Sequence, residues 1–137
     1  MIRKWFGIAA LIVVAAALLS TPGCARSQQL VGISIQPSAV TFLSPSTDIT
    51  FQLKALGTYI HPPEQRDITA TVTWQSLSTD LVLVTNTGVV STAKTGHCGI
   101  TDVTASVYTD SGNPNGNVVT ASATMTVVDT TNLVCPQ

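Results

Sequence analysis

Period-2 alternation of apolar and polar residues dominates the chain after residue 30. Val119, Ala121, Ala123, Met125 and Val127 alternate with Thr120, Ser122, Thr124 and Thr126. Val103, Ala105 and Val107 share one face of the run 100–108, and Ile49, Phe51, Leu53 and Ala55 alternate with Thr50, Gln52 and Lys54. Successive side chains on a strand point to opposite faces, so each run predicts a strand with one face in a core and one in water. Ile68, Ala70, Val72 and Trp74 alternate with Thr69, Thr71 and Thr73 in the same way and predict a strand whose Trp74 anchors the core. Shorter extended pieces are predicted at 31–36, ended by Pro37, at 38–43, at 81–85 and from Val89 onward. Val31, Ile33 and Ile35 form the apolar set of the first.

Punctuation between the runs fits the same scheme. Asn86-Thr87-Gly88 is a turn signal, residues 57–65 with His61-Pro62-Pro63 read as a loop, and 110–117 read as a polar hairpin loop. Ile100 has the wrong parity for the face of Val103, which predicts a bulge or irregular start near Gly99. Asp67 is placed to close its own turn through a side-chain bond to nearby backbone amides. No segment after residue 30 has helical periodicity. Seven to eight short strands with turns between them predict an all-β sandwich of two antiparallel sheets.

The amino terminus follows another pattern. Arg3 and Lys4 precede fifteen uncharged, apolar or glycine residues, Trp5 through Leu19. That run is short for a membrane span of about twenty residues and fits the apolar centre of an export signal over 1–23. Gly23-Cys24 resembles the end of a bacterial lipobox, although Thr21 stands where Leu is usual and Pro22 is an uncommon choice. The resemblance implies that Cys24 becomes a lipidated N-terminus, with 24–29 as a tether and 30–137 as the domain. Ala25 through Gln29 can span at most about 17 Å, holding the domain close to the membrane. Ala25, rather than Asp, after the cysteine resembles lipoproteins sorted to an outer membrane. Ordinary cleavage nearby and a retained anchor are the alternatives.

Residues 30–128 resemble the bacterial immunoglobulin-like domain, group 2. The matching pieces are Ile33 through Pro37, Phe51 through Tyr59, Asp67-Ile68-Thr69 leading to Val72 through Ser76, Val84 through Val90, and Gly96 through Ala105. His97-Cys98-Gly99 and Thr101-Asp102 look expanded against the family's compact run, and the 110–117 loop is longer than usual. The resemblance implies an Ig-like sandwich on an exported or surface protein, concerned with adhesion or spacing, without catalytic residues or cofactors.

Charge and chemistry narrow the function further. Net charge is -1, and loss of a leader holding Arg3 and Lys4 takes it to -3, so nothing attracts a nucleic acid. His61 and His97 have no partners at zinc-ligand spacing, and adjacent His97 and Cys98 point apart on an extended chain. Asp48, Glu64, Asp67, Asp80, Asp102, Asp110 and Asp129 contain no D-x-D pair and read as solvated turn residues; whether loops gather them for calcium is open. With Cys24 lipidated, Cys98 and Cys135 are left as a pair. The end of the last strand runs beside the start of its hairpin partner, which brings them within reach of a disulfide. Free thiols and an intermolecular link are the alternatives. The function expected is a non-enzymatic, membrane-tethered interaction module of the cell envelope with an unknown protein or glycan partner. A glycan-binding alternative would use Tyr59 and Tyr108 with Asn113 and Asn115 as ligand contacts.

Overall fold

Alternation of this kind leaves each strand one apolar face to cover, and strands meet that need by stacking sheets around a shared core. In a computed structural model, which describes residues 28–44, 48–93, 97–109 and 116–130, the chain is all-β. Ten strands are present among the described residues, more than the seven to eight expected: Gln29–Gln36 (β1), Ala39–Ser44 (β2), Thr50–Gln52 (β3), Lys54–Ile60 (β4), Glu64–Asp67 (β5), Thr73–Ser76 (β6), Val82–Val84 (β7), Val89–Thr92 (β8), Gly99–Tyr108 (β9) and Val118–Asp129 (β10). They form three hydrogen-bonded sheets of order β1-β4-β5, β2-β10-β9-β6 and β3-β8-β7. Only Leu53 separates β3 from β4, so one stretch of chain serves two of the sheets. All pairings are antiparallel except that of β2 with β10, which is parallel and departs from the purely antiparallel expectation.

The core draws on all three sheets, as a β-sandwich requires. Ile35, Phe42, Leu53, Ala55, Val82, Val90, Val103, Ala105, Ala123, Met125 and Val127 are buried in one cluster. Phe42, Leu53, Met125, Val82, Val90 and Val103 are its largest fully buried members. The inward faces predicted for β9 and β10 are the ones observed, and their outward Thr and Ser positions are solvated or half-buried.

Several local readings need correction. Ile68–Val72 is not a strand. The amides of Thr71 and Val72 both donate to the Ile68 carbonyl, at 2.9 and 3.2 Å, which makes a turn, and the strand begins only at Thr73. Ile68 and Val72 are buried while Ala70 is exposed. Trp74 is half-buried against the flank of the core and is not its centre. Phe51, expected inside, is 38 % exposed and meets the buried Phe42 ring edge-on, centroids 5.3 Å apart. Residues 57–65 are not one loop, since β4 continues to Ile60 and pairs with β5 across a turn at His61-Pro62-Pro63. A bulge between Leu30 and Gly32 buries Leu30 and turns Val31 to solvent. Near Gly99 the β9–β10 register shows no bulge among the described residues, and the irregular start is the φ of 149° at Gly99; Ile100 faces out.

Asp67 closes its turn as its side chain predicts. Its Oδ1 accepts from the Thr69 amide at 3.0 Å and from the Thr69 hydroxyl at 2.6 Å. Thr69 Oγ1 in turn accepts from the Ala55 amide at 3.0 Å, and the Trp74 indole N–H donates to the Thr69 carbonyl at 3.0 Å. The Thr69 hydroxyl and amide hold the Asp67 carboxyl below its ordinary 3.8. A carboxyl lowered by folding stabilises the fold fully above its unfolded value, and the contribution is lost as pH falls through the folded one. Asp67→Asn keeps an acceptor but cannot titrate. Its melting temperature, followed by circular dichroism, is expected to fall less than wild type's between pH 5 and pH 2. Parallel profiles for the two proteins would contradict a role for this carboxylate.

Candidate functional site

Tyr59 and Tyr108 belong to different sheets. Tyr59 lies near the end of β4, in register with Leu30 of β1 and Glu64 of β5. The ring is half-buried and packs against the core. Arg66 is two residues beyond Glu64 on β5, so strand periodicity puts both side chains on one face of the hairpin. The Arg66 guanidinium lies 5.5 Å from the Tyr59 ring centroid, within cation–π range, and bonds Glu64 at 2.7 Å. Gln28 Nε2 donates to the same carboxylate at 3.1 Å. The Arg66 bond, followed by that of Gln28, lowers the Glu64 carboxyl from its ordinary value, and Glu64 raises the Arg66 guanidinium. Both groups are solvated, so the cluster is a surface feature and its ion pair adds little stability.

Tyr108 ends β9 opposite Val118, the first residue of β10, and is 71 % exposed. It borders the connection that holds Asn113 and Asn115, which lie outside the described residues. Phe51 and Trp74, set aside as core, are partly accessible, but each is held: Phe51 by the Phe42 ring and Trp74 by its bond to Thr69.

The cluster of Gln28, Glu64 and Arg66 beside Tyr59 was missed because 57–65 read as a loop. The signal was present in Glu64-Gln65-Arg66, a strand-spaced acid and base just after a turn. It sets a planar cation on an aromatic face, with an acid and an amide nearby. His61 sits in the adjacent turn with φ 63°, and His97 is exposed beside the buried Cys98. Among the described residues no three His, Cys, Asp or Glu side chains are grouped closely enough to hold a metal ion.

Cys98 is buried. The other two cysteines, Cys24 and Cys135, lie outside the described residues, as do the leader 1–23 and most of the tether 24–29. No helix among the described residues is long and apolar enough to cross a membrane. Compared with known proteins, the sequence matches no protein-family model and no curated protein.

Proposed function

We propose that the chain is a non-catalytic, lipid-anchored Ig-like module of the cell envelope that acts in adhesion or protein interaction. The order of its strands is the observation that carries the reading. Taking β3 and β4 as one strand, β1, β3/β4, β8 and β7 follow one another across one layer, while β6, β9 and β10 do so across the other. This order resembles the neighbour pattern of an Ig-type sandwich, A-B-E-D over C-F-G, with β2 added beside the last strand and β5 beside the second, and it supports the reading. Such scaffolds bind through loops and strand edges rather than through a buried catalytic cleft. The export pattern of 1–23 and Gly23-Cys24 supports anchoring through Cys24 on the outer membrane. Pairing of Cys98 with Cys135 agrees with the oxidising compartment that export implies.

Intact-mass analysis and non-reducing peptide mapping of the protein from its native envelope test the anchor. The expected result is a diacylated or triacylated N-terminal Cys24 and a linked Cys98–Cys135 peptide pair. An unmodified N-terminus at any other residue would remove the lipoprotein reading. The exposure of Tyr108 favours a second reading, in which the same scaffold binds a glycan. Binding to one sugar class on a glycan array, lost in Tyr108→Ala with the fold intact, would select it.

A further inference from the structure

We propose that the outer edge of β2 is a self-pairing surface, and that a second copy of this chain docks on it strand to strand. Among the described residues β2 is the outermost strand of its sheet, hydrogen-bonded on one side to β10. In a parallel pair, alternate residues direct both backbone groups to the neighbour. Here the Ser38 carbonyl accepts from the Thr124 amide at 2.9 Å and the Ser44 carbonyl from the Thr130 amide at 3.1 Å. Residues 38, 40, 42 and 44 therefore face β10. The amides and carbonyls of Ala39, Thr41 and Leu43 point the other way, out of the sheet edge.

Sheet edges are usually guarded by charge, proline or a bulge. The edge strand β5 follows that rule, with Glu64, Arg66 and Asp67 among its four residues. Within Ala39–Ser44 β2 has none of these devices, its sequence being Ala-Val-Thr-Phe-Leu-Ser and its pairing with β10 unbroken, and Pro37 and Pro45 stand only beyond its ends. An antiparallel pairing centred on Thr41 is self-complementary, which fits a second copy of the chain. A two-fold axis through that point sets Thr41 opposite itself, and Ala39 of each copy opposite Leu43 of the other. All three pairs are then of the kind that exchanges two backbone hydrogen bonds, the self-complementary contact a twofold dimer requires. The small Ala39 leaves room for Leu43, which is 54 % exposed and continues into Val128, its registered neighbour on β10 and 40 % exposed. The two four-stranded sheets become one of eight. Edge pairing alone buries less than a standard interface, so the dimer is weak and depends on concentration.

Cysteine cross-linking and sedimentation in detergent, both on the exported full-length mature protein, test the docking. Paired residues of this class have Cα atoms about 5.5 Å apart, within disulfide reach. Thr41→Cys should give an oxidant-dependent dimer on a non-reducing gel. Thr104→Cys, on the same outer face but in β9, should not. Wild type should show a dimer fraction that rises with concentration. Thr41→Lys opposes two ammonium groups on the axis and should weaken association on the order of tenfold or more at an unchanged melting temperature. Leu43→Glu, away from the axis, should do the same if Thr41→Lys proves unstable. Wild type that stays monomeric throughout, dimerisation indifferent to both charge variants, or equal cross-linking at 41 and 104 would overturn the proposal.

Discussion

Gly88→Ala is expected to destabilise the protein by about 3 kcal/mol, combining the left-handed penalty of a non-glycine residue with a backbone clash. Gly88 has φ +80°, and a Cβ built there lies 2.8 Å from the Leu53 carbonyl oxygen and 3.0 Å from the Trp74 indole. The first obstacle is backbone and cannot swing aside. It is also fixed from its own side, because the Leu53 amide donates to the Gly88 carbonyl at 2.8 Å. Gln52 Nε2 reinforces the junction, donating to the Leu53 carbonyl at 2.7 Å and to the Thr87 carbonyl at 2.8 Å. The turn itself is closed by the Gly88 amide on the Thr85 carbonyl at 3.0 Å. An added methyl therefore strains the β7–β8 turn and the point where β3 gives way to β4. Gly88→Asn separates the two causes. Asparagine tolerates positive φ but carries the same Cβ, so it should rescue little. Urea unfolding of both variants checks this, and recovery to within about 0.5 kcal/mol of wild type in Gly88→Asn would show that space is not the obstacle.

That junction also explains where the sequence misleads. The alternation from Ile49 to Ala55 is unbroken, yet Ile49 and Phe51 are more than a third exposed while Leu53 and Ala55 are fully buried. The chain leaves one sheet for another at Leu53, and a period-2 pattern has no mark for a change of partner. Ile68 and Val72 mislead for a different reason. Residues four apart share a face in a strand and also in a helical turn, so the apolar spacing is silent between them. The Asp67 side chain decides, because its bonds to Thr69 start a turn. β5 was hidden because all four of its residues are exposed and polar, with no apolar face to read. By contrast, the inward faces of β9 and β10 were legible, since these strands lie inside the four-stranded sheet with one wet face and one buried face. The exposure of Tyr108 follows from its place at the end of such a strand. The surroundings of Tyr59 depend on β5, so they were lost with it.

Burial ranks the aromatic residues, and denaturation measures the ranking. Phe42→Ala is expected to cost about 3–5 kcal/mol, the range for truncating a large buried aromatic side chain. Phe42 is 1 % exposed, in register with the buried Val127 of β10. Its ring is also the buried half of the edge-on pair with Phe51, so truncation empties a core site and removes the partner of an already part-exposed ring. The surrounding strands are tied by their ladders and can close the cavity only in part. Trp74→Ala removes a larger side chain from a less enclosed place. It also removes the indole bond to the Thr69 carbonyl, a loss of about 1 kcal/mol for a typical hydrogen bond. Its total cost should nevertheless be the smaller of the two, the reverse of the order that a search for the core tryptophan suggests. Phe42→Leu, which keeps most of the buried volume, should fall between wild type and Phe42→Ala and provides a measurable step if the alanine variant does not fold. Chemical denaturation of the three variants gives the order directly. A Phe42→Ala protein within about 1 kcal/mol of wild type, or a Trp74→Ala protein clearly less stable than Phe42→Ala, would return the centre of the core to Trp74.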